Sequence, residues 1–402
     1  MRIAYVSDSV LPSPAAAASQ TMHMAAAMGR LGHAVRLFAP GHDGRARGEA
    51  ARAALRDRFA LDGAIDLRYL PVMDLRGRGR ASYHLVGVLA AKAWRADLVY
   101  TRNARIGLLA TRAGISVIVE SHTLPNSDRS LRAARSLAGS PRLERWAFIS
   151  DRLRARFAEA LGADLPAGRV TIAHDAVDSV RFERPVPRET ARRRIGVATD
   201  GPLVVHAGHL YPGRGAEALI AAAVALGHVH FVLVGGNPSD VGRVARLAAE
   251  AGAPNLRVLG HRDYCDVPDF LFAADVLVMP YTSAAVASDG RTRTIDYASP
   301  LKLFEYMAAG RPIVASRFPG VAEVLRDGEN ALLVPPDHTD ALVAALASVV
   351  ADPALGSRLG DQARGDVAGW TWTARAAAIL DGSVTPAFAP SPSPSHRATP
   401  SD

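Results

Sequence analysis

The chain has 402 residues, more than one ordinary hydrophobic core organises, so two domains are expected. It is 49% hydrophobic and 21% charged, which excludes a disordered chain, and its single cysteine, Cys265, excludes an internal disulfide and fits a reducing compartment. A net charge of +8 and a sequence pI of about 10.0 suit nucleic acid, anionic lipid or a phosphorylated substrate, beside the plain reading of a solvated arginine-rich surface.

The opening "MRIAYVSDSVLPSP" lacks the basic start and long apolar run of a signal peptide. The Ala-rich stretches are interrupted by Arg, His and Gly, so none reads as a membrane span. A cytoplasmic location is expected. Short β-rich runs then alternate with helical ones. The first half reads "RIAYVS" (2–7), "AVRLFA" (34–39), "DLVYT" (97–101), "SVIVES" (116–121), "WAFIS" (146–150) and "RVTIAH" (169–174). The densest basic run, "DLRGRGRASYHL" (74–85), has no aromatic interleaving to stack bases, so a membrane surface suits it better than nucleic acid. The segment 182–202 is charged and carries three prolines, and a hinge is expected there. The pattern restarts with "LVVHAG" (203–208), "HFVLVGG" (230–236), "LRVLG" (256–260), "VLVMP" (276–280), "PIVAS" (312–316) and "ALLVP" (331–335).

Apolar strands separated by helices predict parallel sheets covered on both faces. The expected fold is α/β, with two doubly wound Rossmann-like domains facing a central cleft. The first spans 1–185 and the second 186–369. A last helix over 370–382 packs back on the first, and a Pro/Ser-rich tail, 385–402, is disordered. Ligands of such sheets lie beyond the carboxyl ends of the strands, so the cleft is the expected site.

Two stretches carry chemistry. In "SPLKLFEYMAAGRPIVAS" (299–316), Lys302 is one of only two lysines, the other being Lys92. Ser299 reads as an N-cap and Pro300 as the first helical residue, with the helix over 301–309 closed by Gly310. The free amides of Leu301 and Lys302 with the Lys302 ammonium form an anion site. Glu305 shares the face of Lys302 and suits the vicinal diol of a ribose. The bland alternative is a capped amphipathic helix with a Lys–Glu pair. In "HAGHLYPGRGAEALI" (206–220) a Gly/Pro loop joins strand to helix, flanked by His209 and Arg214, and Arg214 suits bidentate phosphate binding. The alternative is an ordinary β–α turn. A full GxGxxG is absent, which argues against a dinucleotide enzyme.

Taken jointly and in order, these stretches with "LVGG" (233–236), "LGHRDY" (259–264), "AADVLVMP" (273–280) and "HDAVDSVRF" (174–182) resemble the GT-B glycosyltransferases of family 4. The resemblance implies a donor nucleotide site at Gly208, His209, Gly235, His261, Arg262, Leu301, Lys302 and Glu305. It implies catalytic roles for His122, Arg214 and Lys302, and acceptor-side positions at Ser19, Arg102 and Asn103. Ser19 also reads as a cap for the next helix, and His23 as a helix-surface residue. The sequence departs from the family twice. The first basic residue of the family's Arg–Lys pair falls on His209, and the first glutamate of its paired-glutamate motif falls on Tyr297.

The activity implied is retaining, metal-independent transfer of a sugar from a nucleoside-diphosphate sugar to a hydroxyl of a glycan or lipid-linked acceptor, in polysaccharide or envelope glycoconjugate synthesis. No cofactor, metal or nucleic acid is expected, and peripheral contact with the inner membrane face is. Tyr297 and His209 keep open a catalytically silent nucleotide-sugar-binding partner. A sugar phosphorylase or epimerase is a further alternative.

Overall fold

The computed structural model describes residues 1–382 apart from 14, 42–52, 54, 56–58, 60–64, 73–78, 167, 198–199 and 286–293. The tail expected over 385–402 and residues 74–78 of the arginine-rich run therefore lie outside the described residues.

The first sheet has seven parallel strands in the order β3-β2-β1-β4-β5-β6-β7: β1 (Arg2–Val6), β2 (Ala34–Gly41), β3 (Asp66–Pro71), β4 (Leu98–Thr101), β5 (Ser116–Ser121), β6 (Leu143–Phe148) and β7 (Val170–Ile172). The second has six in the order β10-β9-β8-β11-β12-β13: β8 (Leu203–Ala207), β9 (His230–Val234), β10 (Leu256–Gly260), β11 (Val276–Met279), β12 (Ile313–Ser316) and β13 (Leu332–Val334). Both sheets are doubly wound.

Their strands are apolar at nearly every position because both faces are covered. Within β1, Ile3 and Tyr5 enter one core cluster and Ala4 and Val6 another. Within β8, Val204 and Val205 divide in the same way. In each sheet the strand order reverses beside the central strand, between β1 and β4 and between β8 and β11. The two crevices so made lie beyond the carboxyl ends of the strands, where loops carry the polar residues.

The segment expected to be a hinge is ordered around the second sheet. A 3-10 turn, Ser179–Phe182, buries Phe182 in the second core. Helix Arg188–Ile195 follows, and its buried Arg192 pairs with Asp275 and donates to the Ala273 carbonyl at 3.1 Å. Its tertiary partners turn a charged stretch inward, which composition alone does not reveal.

The last helix, Trp372–Asp381, is capped by Thr371, whose hydroxyl accepts from the Ala374 amide at 3.1 Å. It buries Trp372, Ala376 and Ile379 in the cluster that holds Ile3, Tyr5 and Met22. Each large apolar side chain so buried contributes about 2–3 kcal/mol. Elsewhere the two units meet along a polar seam. The Ser150 hydroxyl donates to the Tyr297 carbonyl at 2.7 Å. The Glu323 carboxylate accepts from the Asp151 and Arg152 amides at 2.8 and 2.9 Å, an anion at the start of helix Asp151–Leu161. Among the described residues no single helix is long and apolar enough to cross a membrane.

Candidate functional site

The second crevice is built on close backbone approach. Gly235, at the end of β9, has φ +119°, and a Cβ there would lie 2.0 Å from the Gly208 carbonyl oxygen. Gly215 has φ +82°, and its Cβ would lie 1.9 Å from the Pro280 oxygen. No other residue type fits either place. The loop between β8 and helix Ala216–Ala225 is thereby drawn against the ends of β9 and β11.

On that loop the Arg214 guanidinium lies between two rings, with centroids 4.7 Å away at Tyr211 and 4.6 Å away at Tyr281. It also donates to the Tyr211 hydroxyl. Stacking and this bond fix the plane of its donors. The His209 ring tilts against Tyr211 at 5.3 Å. Partial burial, then the charges of Lys302 and Arg214, push His209 down to about 4, so it is neutral at neutral pH.

Helix Leu301–Ala309 starts with Pro300 at the N-cap and no side-chain cap. This corrects the expectation that Ser299 caps it. The Ser299 hydroxyl instead accepts from the Asp175 amide at 3.0 Å, because the seam brings the first unit against it. Lys302 sits in the first turn. Burial lowers its pKa, and Arg214 adds to this while Glu305 opposes it. Its Cε occupies the space a Gly208 side chain would need, 2.6 Å from that Cβ position. Lys302, Arg214 and His209 thus crowd round a bare helix start, and the first two depress the basicity of the third. An anion placed there relieves this repulsion.

Glu305 is one turn further on. Its carboxylate carries an ion-pair partner that sequence reading does not supply, the Arg181 guanidinium at 3.6 Å. Arg181 also lies over the Tyr264 ring at 3.6 Å and donates to the Tyr264 carbonyl. His261 and Arg262 are exposed on the same loop, where Arg262 donates to the His261 carbonyl at 3.2 Å. Gly235 donates to the Gly260 carbonyl at 2.7 Å and joins the two loops.

In the first crevice, His122 follows β5 and is 15% exposed, with its Nε2 donating to the buried Glu120 carboxylate. Burial, then the nearby Arg102, push His122 down to about 4 despite Glu120. Arg102 donates to the Gln20 side-chain oxygen at 3.1 Å and the Ala17 carbonyl at 3.3 Å. Asn103 caps helix Ala104–Arg112 by accepting from the Arg105 amide at 2.9 Å, and donates to Asp8 at 2.9 Å.

Two further expectations are corrected. Ser19 lies inside helix Ala16–Arg30 instead of capping it, with its hydroxyl 3.3 Å from His23 Nδ1. His23 is wholly buried and not on the surface. It stacks on Trp372, brought by the last helix, at 5.3 Å and meets Tyr264, on the loop after β10, at 5.5 Å.

The structure thus gathers Gly208, His209, Gly235, Arg214 and Lys302 into one basic pocket, with Glu305 beside Lys302 on the same helix. His122 and Arg102 converge on a buried polar cluster in the other crevice, whereas Asn103 bonds Asp8 and caps its own helix, and Ser19 lies beside His23 within helix Ala16–Arg30. Sequence reading missed Glu120, Arg181, Tyr264 and Arg375. Glu120 had a signal, since it lies two residues before His122 and directly follows the apolar run Val117–Val119 of the strand.

Residues 17–181 match the family described as Glycosyltransferase Family 4, and residues 201–352 match Glycosyl transferases group 1. A D-inositol 3-phosphate glycosyltransferase of Streptomyces bingchenggensis is 28% identical over 318 residues, 74% of this chain and 63% of that protein. The chain therefore spans less than two thirds of that relative. A GDP-mannose-dependent alpha-(1-6)-phosphatidylinositol monomannoside mannosyltransferase of Mycolicibacterium smegmatis is 29% identical over 301 residues, 69% of this chain and 72% of that one. Among solved structures, HepE of Anabaena in complex with UDP superposes with a TM-score of 0.74 at 19% identity, covering 95% of this chain and 99% of that one. Sucrose-phosphate synthase of Thermosynechococcus elongatus gives 0.71 at 21%, covering 94% and 97%. With both halves of the chain matched and two doubly wound sheets bearing the site, the protein belongs to the GT-B glycosyltransferases of family 4.

Proposed function

We propose that the protein is a retaining, metal-independent glycosyltransferase that moves a sugar from a nucleoside-diphosphate sugar to a hydroxyl of a glycan or lipid-linked acceptor. The observation that carries this is the pocket at the bare start of helix Leu301–Ala309, where the positive Arg214 and Lys302 lie beside a neutral His209. A diphosphate offers the charge that this pocket lacks. As the donor's glycosidic bond breaks, the leaving phosphate gains charge, and Arg214, Lys302 and the helix amides stabilise it. In front-face transfer a departing phosphate oxygen takes the acceptor hydroxyl proton. Glu305, steadied by Arg181, accepts from the ribose diol. His122, neutral at working pH, presents a hydrogen-bonding edge to the donor sugar.

The names of the relatives support an inositol-phosphate or phosphoinositide-type acceptor. A membrane-face location is part of the proposal, in a cytoplasmic protein. Helix Gly79–Ala93 exposes Leu85 (50%) and Leu89 (53%) one turn apart, with exposed Lys92 nearby.

One observation favours a silent, nucleotide-sugar-binding reading. Tyr297 stands where the family's first glutamate falls, is 3% exposed and gives its carbonyl to Ser150 in the seam. A thermal-shift series with UDP, GDP and ADP, followed by transfer assays, separates the readings. The proposal expects one nucleotide to raise the melting temperature, with the rise lost in Lys302→Ala, and transfer from the matching sugar nucleotide. Binding without transfer to any acceptor leaves the silent reading. A folded protein that binds none overturns both.

A further inference from the structure

The buried polar cluster under His122 contains a pair of residues 255 positions apart in the chain. Glu120 and Arg375 are both 0% exposed, and Arg375 Nη2 donates to Glu120 Oε1 at 2.6 Å. A carboxylate inside a sheet covered on both faces is tolerated only when its oxygens are satisfied. Here they are. Oε1 also accepts from Gln20 Nε2 at 2.7 Å and from His122 Nε2, and Oε2 accepts from the Tyr100 hydroxyl. The guanidinium is anchored as fully. Nε donates to the His174 carbonyl at 2.7 Å, Nη2 to the Ala173 carbonyl at 2.9 Å, and Nη1 lies 3.2 Å from Met24 Sδ.

Apolar burial of Trp372, Ala376 and Ile379 already docks the last helix. Its arginine adds orientation, since a planar fork held by two carbonyls leaves the carboxylate one position. Of the other groups on Glu120, Tyr100 and Gln20 are enclosed at 0% and 2% exposure. Only His122 opens to the crevice. We propose that Glu120 and Arg375 are positioning residues for His122, so that the last helix of the chain completes the reaction-centre side of the cleft. This rests on the reading that His122 faces the donor sugar.

The arrangement fixes more than ring position. A carboxylate that accepts from Nε2 puts the ring proton there and leaves the lone pair on Nδ1. The charged groups facing the ring are Glu120 on its own strand, Arg102 after β4 and Arg375 on the last helix, with neutral Gln20 between them. Glu120 favours the imidazolium, whereas Arg102 and Arg375 oppose it. Burial and Arg102 do most to keep the ring neutral against Glu120, and Arg375 adds to them.

The test uses full-length Arg375→Met, Arg375→Lys, Glu120→Gln, His122→Ala and the double variant Arg375→Met/Glu120→Gln. The double variant replaces both charges by neutral groups and guards against simple unfolding. Turnover, donor KM and the 15N NMR titration of His122 are measured for each. Positioning expects Arg375→Met to lower kcat about tenfold or more with donor KM nearly unchanged. It expects His122 to titrate higher in Arg375→Met and lower in Glu120→Gln, with the tautomer mixed in the latter. Arg375→Lys recovers part of kcat. An unchanged His122 titration and tautomer in folded variants, with only a lower melting temperature, makes the pair a structural one and overturns the proposal. Full turnover in His122→Ala overturns it differently. The reading of His122 then fails, even if the NMR shows that Glu120 orients the ring.

Discussion

Arg181 Nη1 lies 3.6 Å from Glu305 Oε1, and the two side chains are only 8% and 12% exposed. Arg181, on the 3-10 turn Ser179–Phe182, reaches the helix that carries Lys302. It also stacks on Tyr264 at 3.6 Å. Glu305 and the loop that carries Tyr264 are therefore held by one guanidinium. Replacing Arg181 by Met is expected to weaken nucleotide binding by about 1–2 kcal/mol, roughly five- to thirtyfold. Calorimetric titration of the nucleotide identified by thermal shift reads this directly. An unchanged Kd would show that Glu305 needs no such partner.

The approach of Gly235 to Gly208 sets a steric expectation. Gly235→Ala places a methyl 2.0 Å from a carbonyl oxygen on backbone at φ +119°, and both strain and clash oppose folding. A loss of about 3 kcal/mol or more is expected from the urea midpoint. Gly227→Ala, with nothing within 4 Å of its Cβ position, is the control and is expected to stay within about 0.5 kcal/mol.

Lys302 and Gly208 form a matched pair, because the lysine stem fills the place of the missing side chain. Gly208→Ala is expected to displace the ammonium and raise donor KM. Lys302→Arg is expected to fail as a replacement, since a bulky planar head does not fit where a single ammonium does. Steady-state kinetics would expose an error in this account if Lys302→Arg kept wild-type KM.

Stability is expected to rise between about pH 4 and 6.5. Burial pushes His23, His122 and His206 down to about 4, below their unfolded value near 6.5. Across that window the unfolded chain binds more protons, so raising pH favours the folded state. Asp175 opposes them. Burial raises it to about 7, above an unfolded value near 3.9, so its share of stability falls as pH rises through the same range. His23→Phe is expected to flatten the melting-temperature profile and Asp175→Asn to steepen it. Scanning calorimetry from pH 4.5 to 7.5 checks both signs.

The sequence by itself determined the alternation of strands and helices, the helix over 301–309 closed at Gly310, and the basic loop after 208. These rest on local signals: apolar runs, a proline at a helix start, a glycine at its end, and spacing that puts Lys302 and Glu305 on one face. The matched family follows from several such signals in order. Tertiary structure alone decided what the polar side chains do. His23 sits between Met22 and Met24 on an Ala- and Met-rich helix, but the ring that stacks on it, Trp372, is brought there only by the fold. Ser299 reads as a cap but serves Asp175 across the seam. Arg181 finds Glu305, and Arg375 finds Glu120, across more than a hundred residues of chain. The physical reason is that backbone periodicity is a property of neighbours in sequence, whereas the partner of a buried charge is whichever group the folded backbone brings within about 3 Å of it.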